Sequence, residues 1–395
     1  MVSLFVGVDV SKDFFSAAGL DGEGKELFSG FYEMVSNGFS EFLKTLSSHD
    51  ENLNQVLVAM ESTGCYHINL FSFLHDKGIH VVVINPLLIS NFAKLSLRKT
   101  KTDKKDAKTI ARFVVAHQDS ISQLSLSQDL QDLRDLSRER ESLCHQITAT
   151  KVEIKRVLRT TFPELESIGN LYTGAMLRFL QQYPSARLVR GVKPKAIAKT
   201  LKGPYVGDKL TFSPEDILRA AKTSIGTVSS AKEIILQGKI ATLLHLQERL
   251  DEMTKLLTDL CKATRIDDLN ILRSIKGVGL KTAAPFLAEM GKVQHYASHK
   301  KLIAFAGWDP SVRQSGKFVG ISKLSKRGNR HLRRAIYLMT ASVVSQNAFF
   351  KAYFLKRKRE GLPPQKALCA TAHKLLRVIF AMLTQRTYFK PKEVI

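Results

Sequence analysis

Apolar residues in the first third of the chain fall into short runs separated by polar turns. The runs rich in β-branched and apolar residues, which predict strands, are 4–10, 14–20, 25–32, 55–61 and 79–86. The segments whose apolar residues recur at helical spacing are 37–46, 66–78 and one carrying Ile110, Phe113 and Val114. Strands first, then strands alternating with helices, predict a mixed α/β domain over residues 1–120.

Residues 121–264 change to a helical pattern. Apolar residues spaced alternately by three and four predict a long helix over 128–160, with a heptad-like seam interrupted by Arg140 and Thr150 and ended by Pro163. A second long helix is predicted over 228–262, and weaker patterns with several turn signals predict a small helical insert at 164–225. The two long helices could form an antiparallel hairpin within one chain or a dimerising coiled coil, and the sequence leaves both open.

Residues 265–395 predict a mostly α-helical domain of short helices. The stretch "SIKGVGLKTAAPFLAEMG" at 274–291 indicates a helix-hairpin-helix-like element, with its turn at Gly277 and Gly279. The stretch "GWDPSVRQSGKFVG" at 307–320 is typical of a loop, and a basic helix is predicted over 325–338. The apolar run at 375–383 is short and carries Arg377, so no membrane span is expected.

Charge is distributed very unevenly along the chain. The net charge is +24, but residues 1–90 hold 4 basic and 11 acidic residues, whereas residues 265–395 hold 26 basic and 6 acidic ones. Such a basic C-terminal third predicts a polyanionic partner, most simply nucleic acid. The four cysteines are far apart and form no Cys-x-x-Cys pair, which indicates a reducing compartment and no zinc site. Acids interrupt the first apolar run, so no signal peptide is expected.

Four carboxylates stand where they could meet. Asp9 and Glu61 end predicted strands, while Asp103 and Asp106 lie three residues apart in the strongly basic stretch "RKTKTDKKDAKTIARF". Strand ends and a helix start can converge, and Mg²⁺ prefers oxygen ligands. Two such ions about 4 Å apart serve phosphodiester chemistry. A salt-bridged helix surface would give the same Asp spacing, and the residues alone leave both interpretations open.

Several lysine, arginine and glycine residues are candidates for binding phosphate. A phosphate-binding helix and a merely solubilising surface both fit this composition, and the density of arginine favours the first, because guanidinium grips phosphate with two hydrogen bonds. The candidate nucleic-acid-binding residues are Lys101, Lys104, Lys105, Lys276, Gly277, Gly279, Lys326, Arg327, Arg330, Arg333 and Arg334.

Three short motifs, "GVDVSKD", "ESTGCY" and "KTDKKDA", resemble the signatures of the DEDD insertion-sequence transposases of the 110/1111 family, which also includes the Piv-type DNA invertases. The resemblance covers nearly the whole chain. It implies a RuvC-like, RNase H-type N-terminal domain whose tetrad binds Mg²⁺, with two ions and no organic cofactor. In this sequence the tetrad falls on Asp9, Glu61, Asp103 and Asp106.

The same resemblance implies a nucleophilic serine in the C-terminal domain. The family's Gly-x-x-Pro…Ser-Gly loop matches at Ser315, with Ser311 as the alternative nucleophile four residues earlier. This chain departs from the family pattern at Lys276, where Pro is usual, and at Trp308, where Leu is common. Ser315 would attack a DNA phosphodiester and leave a covalent phosphoserine. Further implications are an element-encoded guide RNA, a homo-oligomer on donor and target DNA, and a prokaryotic cytoplasmic, nucleoid-associated location.

Two rival functions remain open at this point. A RuvC-like nuclease would hydrolyse nucleic acid with water, and Ser315 would then be incidental. A DNA-binding regulator would keep the four acids without any catalysis. Detection of a covalent protein–DNA adduct separates the recombinase from the nuclease, and Mg²⁺-dependent strand cleavage separates both from the regulator.

Overall fold

The computed structural model describes most of the chain. The described residues are 2–61, 66–84, 89–90, 92, 103–117, 128–202, 212–311, 314–315, 318–319 and 323–391. Among them, the backbone alone is described for residues 103–105, 128, 310–311, 314–315, 318–319 and 323. The chain divides into two compact units, Met1–Gln128 and Asp129–Ile395, and each is described by itself.

A five-stranded sheet forms the centre of the first unit. Its strands are β1 (Leu4–Val10), β2 (Phe14–Leu20), β3 (Glu26–Glu33), β4 (Val56–Glu61) and β5 (His80–Ile84). They lie in the order β3-β2-β1-β4-β5. The first three form an antiparallel meander, while β4 runs parallel to β1 and β5 parallel to β4. All five predicted strands are confirmed within one residue at each described end.

Helices cover both faces of this sheet. They are α1 (Ser36–His49), α2 (His67–Asp76) and α3 (Asp103–Ala116). Successive strand residues point to opposite faces. The even-numbered apolar residues of β1 and β4 accordingly pack with α1 and α2, and the odd-numbered ones pack with α3. Mixed α/β architecture is therefore confirmed for this unit.

The closest approach between α3 and the sheet occurs at Gly7. A Cβ atom on this residue would lie 2.2 Å from the carbonyl oxygen of Ala107 and 2.3 Å from the amide nitrogen of Ala111. Any side chain at this position would therefore push α3 away from β1. The helix backbone can lie directly on the strand only because position 7 is glycine.

Two long helices run antiparallel in the second unit. They are α4 (Gln128–Thr161) and α10 (Ser230–Arg273). Arg140 Nε donates to Thr254 Oγ1 at 3.0 Å, and the Lys239 ammonium lies 3.6 Å from the Glu153 carboxylate. Because the contacts move down one helix as they move up the other, the helices form a hairpin within one chain. The dimerising coiled coil stays a prediction.

Short helices fill the segment between the two long ones. They are α5 (Leu165–Ile168), α6 (Gly174–Gln182), α7 (Ala186–Val189), α8 (Pro194–Leu201) and α9 (Pro214–Thr223). Their apolar faces form one buried cluster with the adjoining halves of α4 and α10. Phe162 and Phe179 are fully buried in it. The insert therefore has a hydrophobic core of its own.

A second cluster in this unit is built by the C-terminal helices. They are α11 (Leu280–Met290), α12 (His299–Phe305), α13 (Arg330–Gln346), α14 (Ala348–Arg359) and α15 (Pro364–Gln385). By length and composition alone, α15 could cross a membrane. However, its Leu375, Leu376 and Ile379 side chains are buried in the core of this unit. Its apolar character is thus explained by packing within the protein.

Candidate functional site

Asp9 and Glu61 stand side by side at the ends of two neighbouring parallel strands. Val8 pairs with Met60 in the ladder between β1 and β4, so Asp9 and Glu61 occupy the next position on each strand. Both have odd numbers, like Gly7 on β1 and Ala59 on β4, and therefore belong to the face that α3 covers. Both are half-buried.

The first turn of α3 lies toward the same edge of the sheet. Phe5 shares a buried cluster with Ile110 and Val114, while Gly7 lies against Ala107 and Ala111. Moving along β1 toward Asp9 thus means moving back along α3 toward its first residues. Those residues are Asp103 and Asp106, three positions apart and on one helix face. The fold brings the predicted acids toward one edge of the sheet.

The donor set at this edge suits a hard cation, because it consists of carboxylate oxygens. Asp9, Glu61 and Asp106 each have an interaction partner within the protein. Among the side chains that the structure describes, no three His, Cys, Asp or Glu residues are grouped as metal ligands. The side chain of Asp103 lies outside that set, so the complete tetrad stays a prediction.

The lysines of the basic stretch are only partly within the described structure. Lys101 and the side chains of Lys104 and Lys105 lie outside it. Lys108, one turn further along α3, forms an ion pair with Glu26 at the start of β3. This ion pair links the helix to an edge strand of the sheet. The phosphate-binding role of the other three lysines remains a prediction.

Ser315 lies in a β-hairpin of the second unit. Strand β6 (Pro310–Ser311) pairs with β9 (Lys323–Leu324), and β7 (Gln314–Ser315) pairs with β8 (Phe318–Val319). Ser315 opposes Phe318 at the inner pair, whereas Ser311 opposes Lys323 in the outer pair. The expectation of a plain loop over 307–320 is therefore wrong, because short antiparallel pairs form within it.

The base of this hairpin is attached to the helical core. Ser325 donates its amide to the Asp309 carbonyl at 2.8 Å and its hydroxyl to Asp309 Oδ1 at 2.5 Å. Trp308 is buried, and its carbonyl accepts a hydrogen bond from His373 Nε2 at 2.9 Å. Burial lowers the pKa of His373, which favours the neutral ring for this contact. Both arms of the hairpin thus start from fixed points.

A buried carboxylate holds the segment that follows the hairpin. Glu289 on α11 is wholly buried and accepts two hydrogen bonds from the Arg138 guanidinium, at 2.8 and 3.1 Å. It also accepts a hydrogen bond from Asn329 Nδ2 at 2.7 Å. The Asn329 side chain oxygen in turn caps α13 by accepting from the amides of His331 and Leu332. Glu289 therefore connects α4, α11 and the start of α13.

The predicted basic helix begins later than expected. Gly328 has φ of 143° and Asn329 is the N-cap, so the helix starts at Arg330 rather than at 325. The predicted helix over 325–338 is therefore wrong at Lys326, which precedes the helix with φ of 52°. Lys326, Arg327 and Arg330 are exposed and remain candidates for phosphate contact.

The next two arginines are engaged within the protein. Arg333 donates to the Ala306 carbonyl at 3.0 Å, beside the hairpin base. Arg334 lies 3.5 Å from the Glu141 carboxylate, which also contacts His331 at 2.7 Å. Their predicted role in phosphate binding stays untested, but each has a structural contact that its loss would break.

The Gly-x-Gly turn joins α10 to α11, as predicted. Gly277 has φ of 100°, and a Cβ on it would lie 2.8 Å from Val343 Cα on α13. The Gly279 amide is within 3.2 Å of the Thr282 hydroxyl oxygen. The first glycine is thus required for helix packing. Lys276 beside it is exposed and could still contact phosphate.

Glu289, Asn329 and His373 were not singled out from the sequence. The signal for Glu289 is a lone acid inside the apolar run "APFLAEM", where a charge must find partners if it is buried. Asn329 follows Gly328 directly before a helical pattern, which is typical of an N-cap. Nothing near His373 in the sequence indicates its contact with Trp308.

Each of the two units contains a region that matches a known protein-family model. Residues 6–163 match the IS110-type DEDD transposase family model, and residues 269–355 match the model described as Transposase IS116/IS110/IS902 family. The first match includes Asp9, Glu61, Asp103 and Asp106, and the second includes Ser315.

Full-length relatives point the same way. The chain is 25% identical to the transposase for insertion sequence element IS1111A of Coxiella burnetii, over 97% of this chain and 90% of that protein. It is 23% identical to an insertion element IS110 protein of Streptomyces coelicolor, over 99% and 96%. It is 22% identical to the pilin gene-inverting protein of Moraxella bovis, over 98% of each. The chain therefore belongs to the IS110/IS116/IS902 family of transposases.

Proposed function

We propose that this chain is a DNA recombinase that cleaves and rejoins DNA strands with a Mg²⁺-binding tetrad and a serine nucleophile. The observation that carries the proposal is the placement of Asp9 and Glu61 on adjacent parallel strands, at the sheet edge toward which the first turn of α3 lies. Membership of a transposase family supplies the substrate class. The names of the relatives include both a transposase and a gene-inverting protein.

The order of the sheet supports an RNase H-like fold for the first unit. A three-stranded antiparallel meander followed by two parallel strands, with helices on both faces, is what that fold class requires. The resemblance of the three motifs to DEDD transposases leads to the same fold. In this arrangement the acids on β1, β4 and α3 form the catalytic edge.

Asp9, Glu61, Asp103 and Asp106 would hold the metal ions through their carboxylate oxygens. Bound Mg²⁺ would activate an attacking oxygen and stabilise a leaving one. The carboxylates themselves orient the phosphate-bearing substrate only through a cation, because direct contact between two anions is repulsive. Basic residues close to the tetrad in sequence, such as Lys101, Lys104 and Lys105, would hold the DNA backbone on either side.

Ser315 would supply the nucleophile. Its Oγ forms a bond to phosphorus while the bond from phosphorus to a deoxyribose oxygen breaks. The serine proton is lost and the departing oxygen gains one. The product is a phosphoserine ester and a free DNA hydroxyl. A different DNA hydroxyl can then attack the phosphoserine and rejoin the strands. No external energy source is needed, because the ester retains the energy of the original phosphodiester bond. The alternative nucleophile is Ser311.

The partners follow from this chemistry and from the family. Two DNA segments, donor and target, must be present together, which favours a homo-oligomer, either a dimer or a tetramer. A guide RNA encoded by the element would select the sites by base pairing, in keeping with the absence of a recognisable base-reading module from the sequence. The expected location is the nucleoid in the prokaryotic cytoplasm.

The experiment measures strand cleavage and DNA binding side by side for Asp9→Ala and Asp106→Ala. Both variants should lose Mg²⁺-dependent cleavage yet keep their affinity for DNA, since the carboxylates act on phosphate only through a metal. Asp21→Ala is the matched control, because Asp21 lies in the turn between β2 and β3 and should cleave normally. Full cleavage by Asp106→Ala would refute the tetrad. A protein that binds DNA but never cleaves it would support the regulator instead.

A further inference from the structure

The chain after Asp309 is almost without acids. From residue 310 to residue 392 it contains 19 Lys and Arg residues and a single acid, Glu360. Eight of these cations lie on α14 and α15, outside every site discussed above. The question is whether they form a scattered solubilising surface or one defined binding surface.

Three cations of α15 share one face of the helix. Lys366, Lys374 and Arg377 follow one another at spacings of eight and three residues, with Ala370 between the first two, so they form a single row. The opposite face carries Leu375, Leu376 and Ile379, which are buried in the core. With a rise of 1.5 Å per residue, the row is about 16 Å long.

Two aromatic rings of α14 position the middle of this row. The Lys374 ammonium lies 4.1 Å from the centroid of the Phe349 ring and 4.4 Å from that of Tyr353. Contacts of this kind are attractive and restrict a side chain that would otherwise sample many rotamers. Burial, together with the nearby charges of Lys356 and Arg377, lowers the pKa of Lys374. Lys356 on α14 and Lys374 and Arg377 on α15 thus repel one another across the junction of the two helices.

No carboxylate relieves that repulsion in the described part of the chain. Neither Lys356, Lys366, Lys374 nor Arg377 forms an ion pair with a described acid. The single acid of the region, Glu360, pairs with Arg357 at 2.8 Å. Arg357 is further held by the Tyr353 hydroxyl at 3.0 and 2.9 Å. An anion from outside the protein would therefore find the row uncompensated.

We propose that Lys356, Lys366, Lys374 and Arg377, here called the cationic row, bind the sugar–phosphate backbone of duplex DNA. The inference rests on the proposed function in taking DNA as the partner. Duplex DNA carries one charge per about 1.7 Å of axis, so a row of about 16 Å faces the phosphates of roughly five base pairs. The row offers charge without side chains arranged to read base edges, which makes the contact independent of sequence.

The helix that carries most of the row also contacts the base of the hairpin that contains Ser315. His373, the residue before Lys374, donates to the Trp308 carbonyl at the base of the hairpin that carries Ser315. Helix α15 therefore both anchors the hairpin and carries three of the four residues of the cationic row. DNA held by the row is held by the same rigid element that fixes the hairpin base.

The test compares the salt dependence of duplex DNA binding between two triple variants. Lys356→Gln, Lys374→Gln and Arg377→Gln together should make the slope of log affinity against log salt shallower by about 2 to 3. The control triple is Arg156→Gln, Arg249→Gln and Lys262→Gln, which removes the same charge from exposed residues. Each of those already pairs with an acid at 2.7 to 3.3 Å. The control slope should change by less than about 1.

Two further variants separate a loss of charge from a loss of folding. Lys374→Arg keeps the charge and should keep the wild-type slope. Arg377→Gln alone changes an exposed residue and should lower the slope by about 1. Equal slopes for the two triples would overturn the proposal. A change seen with a structured RNA but not with duplex DNA would show that the partner is RNA instead.

The outcome is independent of the recombinase chemistry. Binding is measured without Mg²⁺, so a protein that never forms a covalent adduct can still show the slope change. In that case the proposed chemistry fails and the cationic row stands. If the protein forms the covalent adduct normally and the triple variant leaves the salt slope unchanged, the proposed chemistry stands and DNA binding by the cationic row is overturned.

Discussion

Replacement of Gly7 by alanine tests how the fold aligns the acids. The added Cβ would lie 2.2 Å from the Ala107 carbonyl oxygen, whereas relaxed contacts between such atoms are about 3.5 Å. Helix α3 must therefore move by about 1 Å, and Asp103 and Asp106 would move with its first turn. Overpacking of this kind costs about 1 to 3 kcal/mol of unfolding free energy.

The assay for Gly7→Ala combines urea unfolding with Mg²⁺-dependent cleavage and DNA binding. We expect lower stability and a loss of cleavage larger than the loss of stability explains, since a displacement of about 1 Å can cost on the order of 100-fold in rate. DNA binding should be retained. Gly22→Ala is the control, because a Cβ there meets no atom within 4 Å. Normal stability and cleavage for Gly7→Ala would refute the close packing of α3 on β1.

Two further predictions concern the second unit. Gly277→Ala should lower the unfolding free energy by about 1 to 3 kcal/mol, because Gly277 has a positive φ and an added Cβ would clash with α13. The control Gly279→Ala should cost less than about 1 kcal/mol. Equal effects of the two variants in urea unfolding would contradict the packing role of Gly277. Glu289→Gln should cost about 2 kcal/mol in the same assay through its weakened hydrogen bonds to Arg138 and Asn329. The exposed Glu252→Gln is its control, and a cost equal to that control would exclude a structural role for the buried carboxylate.

The sheet was predictable because each strand is short, apolar and bounded by turn residues. The first long helix, predicted at 128–160, spans Gln128–Thr161, but the end of the second was harder to predict. The predicted end at 262 lies three residues before a kink at Arg265, where the backbone is non-helical (φ −142°, ψ 37°) and beyond which a further helical segment continues to Arg273. The mostly polar residues 262–268 separate the apolar residues before the kink from the buried Leu269, Ile271 and Leu272 after it, so the pattern indicated an end there. The start of α13 was misplaced for a related reason, since a run of basic residues hides the break at Gly328.

The candidate site was predictable only in part. The apolar runs predicted Asp9 and Glu61 at strand ends, but the pairing of their two strands is seen only in the structure. The side-chain network around Glu289 depends on contacts between residues about 150 positions apart, which no local pattern contains. The same holds for His373 and Trp308, whose contact arises only after α15 packs on the core.

Covalent trapping of DNA through Ser315 tests the central claim most directly. Wild-type protein, Ser315→Ala and Ser311→Ala are each incubated with Mg²⁺ and labelled nicked duplex DNA, then separated by denaturing electrophoresis. Because an activated hydroxyl is needed to form the phosphoserine, wild type and Ser311→Ala should carry the label and Ser315→Ala should carry none. Label that persists on Ser315→Ala, or wild-type cleavage with Mg²⁺ that never leaves label on the protein, would contradict the account.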